Sequence, residues 1–186
     1  MRRLKIRYWL LFALVIIGIL SFGFISGGDD KEIHWMSFDE AVALNQKHPK
    51  KVFIDVYTQW CGWCKKMDAD TYTNPQIIDY INKNYYAVRL DAECADTFHF
   101  KDHKFYNVKP HTKGYTNELA SSLLDGKLTY PTTVYMDENF GRLTFVQTYA
   151  TAADLLPILR YFAENKYKTM KFEDYKKSIT ASPASN

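Results

Sequence analysis

Apolar and polar positions recur along the chain with the periods of strands and helices from about residue 34 onwards. The run KVFIDVYT at 51–58 is hydrophobic on both faces, which predicts a central strand covered on both sides. A second strand is predicted at 85–90. The runs YPTTVYM at 130–136 and RLTFVQTY at 142–149, joined by the turn DENFG, predict a β-hairpin.

Helical signals lie between and beyond these strands. Ser37 and Glu40 form an S-x-x-E capping box, which predicts a helix through Gln46. In the last predicted helix, we expect Pro157 to lie in the first turn, where its missing N–H costs no hydrogen bond. The other helices are predicted from about Cys61 to Asn74, from Pro75 to Tyr85, from Thr116 to Gly126, and around 154–166, with Leu155, Ile158, Leu159 and Phe162 on one face.

The order of these elements predicts an α/β domain. A β-α-β unit followed by a β-β-α unit makes a mixed central sheet with helices on both faces. The segment 91–129 separates the second strand from the hairpin and forms an insertion that is rich in aromatic residues and histidine. We expect a folded domain over residues 31–170 and a loose, polar tail at 171–186.

The first thirty residues have a different pattern. Four basic residues among the first seven precede an almost unbroken apolar run at 8–25. As a helix, this run spans about 27 Å, close to the thickness of a bilayer's hydrocarbon core. We therefore expect residues 1–30 to be a retained membrane anchor and linker, with the domain on the periplasmic or other extracytoplasmic side. A signal peptide that is cleaved, leaving a secreted domain, is the alternative.

Composition excludes several classes of protein. A chain of 186 residues is long enough to bury a core of its own. The net charge of +3, with Lys and Arg spread along the sequence, gives no indication of nucleic-acid binding. Three cysteines are too few for a disulfide-rich scaffold, so the chemistry of each has to be considered individually.

Cys61 and Cys64 follow the buried strand and open a predicted helix. Positions three apart on a helix are about 5–6 Å apart, which a disulfide can bridge. The helix N-terminus favours a thiolate at Cys61, which could attack a disulfide before Cys64 resolves the product. A zinc site completed by Cys94 with His99 or His103 is a weaker alternative, because these residues lack the usual spacing of a second ligand pair. A structural disulfide would close only a very small loop.

The stretch FIDVYTQWCGWCK together with YPTTVYMD resembles the thioredoxin superfamily, and is most similar to envelope-located thioredoxin-like domains of the disulfide-interchange kind. The resemblance implies a thioredoxin-like fold in which Cys61 is a solvent-facing nucleophile and Cys64 the resolving thiol. Asp55 matches the buried acid that accepts the proton of the resolving cysteine, and Arg89 falls where the family often has a lysine beside that acid. The implied substrate-binding residues are Trp60, Gly62, Trp63, Tyr130 and the cis-proline Pro131.

Together, these features predict a membrane-tethered thiol–disulfide oxidoreductase that reduces or isomerises disulfides of envelope proteins. A membrane electron donor would keep it reduced, and we expect a monomer that needs no metal or cofactor. The alternative is a non-catalytic module that binds a partner through the surface of the thioredoxin scaffold. The Gly-Trp dipeptide between the cysteines and the 91–129 insertion depart from the family pattern. We expect the insertion to be a surface elaboration or a partner-docking surface, and Cys94 to be a buried, idle thiol.

Overall fold

A computed structural model describes residues 31–181. The strands are β1 (Trp35–Met36), β2 (Lys51–Tyr57), β3 (Tyr85–Asp91), β4 (Phe98–Phe100), β5 (His103–Phe105), β6 (Thr132–Met136) and β7 (Arg142–Val146). The helices are α1 (Phe38–Asn45), α2 (Gly62–Asp70), α3 (Pro75–Asn84), α4 (Glu118–Leu123), α5 (Ala152–Ala163) and α6 (Phe172–Ala181).

Five strands form one mixed sheet in the order β1-β3-β2-β6-β7. β1 and β2 both run parallel to β3, whereas β6 is antiparallel to β2 and β7 is antiparallel to β6. β2 is therefore paired on both edges, and all but its last residue are buried. This architecture confirms the predicted thioredoxin-like α/β fold with a mixed central sheet.

The two faces of the sheet bury separate hydrophobic cores. On one face, Phe53 of β2 packs in a cluster with residues of α2, α3, α5 and α6. On the other face, Val52, Ile54 and Val56 pack with residues of α1 and α4. Because side chains alternate along a strand, Asp55 points to the same face as Phe53, which α2 covers.

Helix α5 begins earlier than predicted, because Thr151 and Asp154 form a capping box. Pro157 is consequently the sixth helical residue, so the prediction that it lies in the first turn is wrong. The carbonyl that loses its partner belongs to Ala153, an exposed residue close to the helix start, where water can satisfy it.

The C-terminal segment is also more ordered than the sequence suggested. Residues 172–181 form α6 rather than a loose tail, and buried Tyr175 packs against Tyr161 of α5. Phe172, Tyr175 and Ile179 recur with helical spacing, which is the signal that identifies this helix. The folded domain therefore continues past residue 170.

The predicted membrane anchor at 8–25 lies outside the described residues. Among residues 31–181, no helix is both long enough and apolar enough to cross a membrane. The anchor and the extracytoplasmic location therefore stay predictions.

Candidate redox site

Cys61 and Cys64 form a disulfide at the N-terminus of α2. β2 ends at Tyr57, and a turn closed by the Cys61 N–H donating to the Thr58 carbonyl at 3.1 Å leads into the helix. Cys61 is the N-cap residue, and its Sγ accepts a hydrogen bond from the Cys64 N–H at 3.0 Å. This bond places a helix-terminal donor on the sulfur that the sequence identified as the nucleophile.

Both cysteines are recessed in this oxidised form. Cys61 is 5% exposed and Cys64 is 3% exposed in the disulfide. The expectation that Cys61 faces solvent while Cys64 faces the core concerns the reduced protein and stays a prediction. Gly62 between them is exposed, and a Cβ added there would meet no atom of residues 31–181 within 4 Å.

Two large aromatic side chains next to the cysteines in sequence are exposed. Trp60 is 49% exposed and Trp63 is 60% exposed. Trp60 makes an edge contact with Tyr130 at 6.1 Å between ring centroids, and Trp63 contacts Tyr149 at 5.5 Å. Exposed aromatic groups held in fixed positions beside a reactive bond form a surface on which a polypeptide can dock.

The peptide bond between Tyr130 and Pro131 is cis, and it immediately precedes β6. A groove of about 390 Å³ runs beside it, with Trp63 on its other side. The remaining lining residues are Thr129, Gln147, Thr148 and Tyr149. The fold thus brings Trp63, Tyr130 and Pro131, which are far apart in sequence, into one uncharged groove next to the cysteines; their role in substrate binding stays a prediction.

Asp55 is 1% exposed in the central strand, so it does not occupy a strand edge. Its Oδ1 accepts a hydrogen bond from the Tyr72 hydroxyl at 3.2 Å, and its Oδ2 lies 3.4 Å from Arg89 Nε. Burial raises the pKa of Asp55 from 3.8 to about 7, although the nearby Arg89 charge acts in the opposite direction. A carboxyl group with this pKa can accept or release a proton near neutral pH.

Arg89 connects Asp55 to the helix that carries the cysteines. Its Nη2 donates to both carboxylate oxygens of Asp68 at 2.6 and 2.7 Å. Asp68 is four residues after Cys64 and hence on the same side of α2. The Arg89 Nε–H finds no hydrogen-bond acceptor within residues 31–181, so Asp68 holds the guanidinium more firmly than Asp55 does.

Sequence reasoning identified Asp55 and Arg89 but missed their other partners. Asp68 could have been found, since an acidic residue one helical turn after Cys64 is visible in the sequence. Tyr72 lies beyond the end of α2, and no local pattern predicts that its hydroxyl reaches Asp55. Glu93 in the insertion was also missed; its Oε2 accepts from Trp60 Nε1 at 2.9 Å.

The zinc alternative finds no support in the geometry of the described residues. His99 and His103 lie on the β4–β5 hairpin rather than one turn apart on a helix. Throughout 31–181, no three His, Cys, Asp or Glu residues are placed to share a metal ion. Cys94 is a buried free thiol, and burial raises its pKa to about 11.

Comparisons with known proteins support the same fold. The chain is similar to a DsbH oxidoreductase (16% identity, TM-score 0.52, 77% of this chain and 93% of the other). It is also similar to a thioredoxin from Thermus thermophilus, with 16% identity and a TM-score of 0.51 over 69% of this chain and 85% of the other. A thioredoxin-fold protein from Helicobacter pylori is 15% identical, with a TM-score of 0.54 over 83% of this chain and 91% of the other. At these identities the likeness concerns the fold alone.

Sequence comparison gives the family. An uncharacterized protein of Archaeoglobus fulgidus is 30% identical over 82 residues, which cover 44% of this chain and 64% of that protein. The family model described as "Thioredox_DsbH: Protein of unknown function, DUF255" matches residues 22–180. The chain therefore belongs to the Thioredox_DsbH family and contains a thioredoxin superfamily domain with a Cys61–Cys64 pair.

Proposed function

We propose that this protein is a membrane-tethered thiol–disulfide oxidoreductase that reduces or isomerises disulfides of envelope proteins. The observation that carries the proposal is the Cys61–Cys64 disulfide at a helix N-terminus, recessed next to two exposed tryptophans and beside a cis-proline groove. A purely structural disulfide would need neither the buried acid Asp55 nor the exposed aromatic surface.

The proposed reaction moves two electrons from the protein to its client. In the reduced protein, the Cys61 thiolate attacks one sulfur of a client disulfide, which forms a mixed disulfide and releases one client thiolate. Cys64 then gives up its proton, for which Asp55 is the proposed acceptor, and attacks the Cys61 sulfur. The second client thiolate leaves, and Cys61 and Cys64 are oxidised to the disulfide. A membrane dithiol donor would reduce them again.

Insulin reduction tests this function directly. The protein, recycled by dithiothreitol, is expected to precipitate the insulin B chain faster than dithiothreitol alone. Activity no higher than that of dithiothreitol would instead support the alternative, a binding module that uses the exposed tryptophans as a grip.

We expect the Cys61–Cys64 couple to be reducing. Strong oxidants of this fold stabilise the nucleophilic thiolate, whereas here Gly62 and Trp63 supply no cation, and exposed Lys65 is screened by solvent. Lys113 and Glu93 both contact Trp60 but carry opposite charges. The potential should lie near the thioredoxin value of about −270 mV. Equilibration with a glutathione buffer measures it, and a value more oxidising than about −180 mV would make the protein an oxidant.

The anchor predicted at 8–25 leads to a fractionation experiment. The full chain is expected to stay with membranes after a high-salt wash, because burial of the apolar run is insensitive to ionic strength. N-terminal sequencing should find residues 1–25 intact. A mature N-terminus near Gly23 or Gly28 would instead establish cleavage and release of the domain.

A further inference from the structure

The part of the insertion nearest the cysteines is organised around the buried carboxylate of Glu93. Its Oε1 accepts from the Gly114 N–H at 2.9 Å, and its Oε2 accepts from Trp60 Nε1 at 2.9 Å. The Glu93 carbonyl also accepts from the His111 N–H at 2.6 Å. One residue therefore ties the loop at 106–116, which we call the insertion loop, to the tryptophan that precedes Cys61.

Other bonds hold the insertion loop in a defined conformation. Asn107 Nδ2 donates to the Tyr115 carbonyl at 2.7 Å, which closes the base of the loop. The Lys109 N–H donates to Asn107 Oδ1 at 3.0 Å, and the Glu118 N–H donates to the Tyr106 carbonyl at 3.1 Å. These bonds restrain the backbone of the insertion loop, which lowers the entropy that is lost when a partner binds.

That fixed loop exposes both apolar and cationic side chains. Val108 is 72% exposed, and Tyr106 and Tyr115 are also exposed. The Lys113 ammonium lies 4.7 Å from the centre of the Trp60 ring, and Lys109 lies 4.7 Å from that of Tyr115. Exposed apolar groups on an ordered frame next to a reactive site are typical of a protein-binding surface.

Charge defines the chemistry of this surface. The insertion loop contains two lysines, one histidine and no acidic residue. A cavity of about 380 Å³ lies between the loop and the cysteine turn, and it is lined by Gln59, Trp60, Asp91, Glu93, His111 and Lys113. Asp91 Oδ2 accepts from the Gln59 side chain at 3.0 Å, and Oδ1 accepts from the Glu93 N–H at 2.9 Å.

Neutral donors of the protein itself engage both carboxylates of this cavity but leave their charges, so any attraction of an acidic client rests on direct contact with Lys113. Within residues 31–181, the Lys113 ammonium lies against the Trp60 ring and pairs with no carboxylate. Lys113 keeps its hydrogen-bond donors available to a ligand, and the cation lies beside the residue that adjoins Cys61. The groove on the Trp63 side has no charged lining residue. The two sides of the redox site therefore differ in charge.

We propose that the insertion loop forms a second client-binding subsite, in which Lys113 selects polypeptides that carry an acidic side chain close to the reacting cysteine. This inference rests on the proposed oxidoreductase function and adds its substrate class. The uncharged groove beside Pro131 then binds the part of the same client segment that lies on the other side of the client's cysteine.

The experiment uses three peptides of equal length, each with one cysteine joined by a disulfide to 2-thiopyridine. Glutamate, glutamine or lysine flanks the cysteine. Reduced protein attacks the peptide sulfur, and the released pyridine-2-thione reports the rate. Each rate is divided by the rate of the same peptide with dithiothreitol, because flanking charges also change the reactivity of the disulfide itself.

The wild-type protein should prefer the acidic to the neutral peptide by roughly two- to fivefold, the range expected of one exposed ion pair. The Lys113→Gln variant should show no preference, and the Lys113→Glu variant should prefer the lysine peptide. The preference should also shrink as ionic strength rises. Lys101→Glu is the matched control, since Lys101 belongs to the same insertion but contacts Phe100 instead of Trp60.

Small neutral 2,2′-dithiodipyridine measures the intrinsic reactivity of the Cys61 thiolate in each variant, and the ratio between peptides within one variant is independent of that reactivity. The proposed subsite would be overturned if the Lys113→Glu variant still preferred the acidic peptide. It would also be overturned if Lys101→Glu abolished this preference as fully as the Lys113 variants do. Normal insulin reduction without any charge preference would also overturn it while leaving the proposed function intact. Absence of insulin reduction would instead overturn the proposed function.

Discussion

The Cys61→Ser variant is expected to reduce insulin no faster than dithiothreitol alone. Serine keeps the size and hydrogen-bonding capacity of the side chain, but its hydroxyl cannot take part in thiol–disulfide exchange. The side chain should still accept the Cys64 N–H as an N-cap, so the helix should form. Loss of activity with an unchanged circular dichroism spectrum would therefore reflect chemistry rather than misfolding.

The complementary Cys64→Ser variant should accumulate covalent complexes. Cys61 can still attack a client disulfide, but no second thiol is available to release the product. Non-reducing gels should show stable mixed disulfides that dithiothreitol dissolves, and peptide mapping should place the client on Cys61. Mapping to Cys94 would contradict the assignment.

Cys94→Ser supplies the matched control for both variants. The Cys94 thiol is buried, its pKa is raised to about 11, and it lies 3.8 Å from Asn117 Nδ2. So little of it is thiolate at neutral pH that it should contribute nothing to exchange. Its replacement should leave insulin reduction unchanged.

Elements whose residues are neighbours in sequence were predictable. β2, β3 and the β6–β7 hairpin each show an apolar strand pattern, and α1 carries its own capping box. Asp55 stood out because a carboxylate inside an apolar strand costs free energy unless it is paired or functional. In such cases the local pattern and the tertiary structure agree, so the sequence is informative.

Features that depend on distant partners were not predictable. β1 has only two residues and is a strand because it pairs with β3. The β4–β5 hairpin interrupts a segment that looked irregular. The contact between Trp60 and Glu93 joins residues 33 apart, and no spacing rule links an indole to an acid across an insertion. Contacts of this kind become visible only when the strands have been placed.

Asp55→Asn is expected to slow release of the mixed disulfide by about 100-fold, the lower end of what a general base contributes. Asparagine can still accept the Tyr72 hydrogen bond, but it cannot take a proton from Cys64. In the wild-type protein the release rate should rise with pH through about 7, where Asp55 ionises. The variant should lack this rise. Rapid-quench measurement of the mixed disulfide separates release from the first attack.

The same substitution is expected to stabilise the oxidised protein at high pH. The folded-state pKa of Asp55 is raised above its unfolded value, so the folded state holds the proton more tightly and stability falls as pH rises from about 4 to about 7. A rise from 3.8 to about 7 corresponds to roughly 4 kcal/mol, which is an upper limit for the gain at pH 8. In urea unfolding, the free energy of unfolding of Asp55→Asn should therefore exceed that of the wild-type protein at pH 8, and the difference should vanish near pH 4. Asp79→Asn is the control: Asp79 is exposed on α3, so its replacement should change neither the release rate nor the stability. A destabilised Asp55→Asn protein with normal release kinetics would make Asp55 a structural partner of Arg89 instead of a proton acceptor.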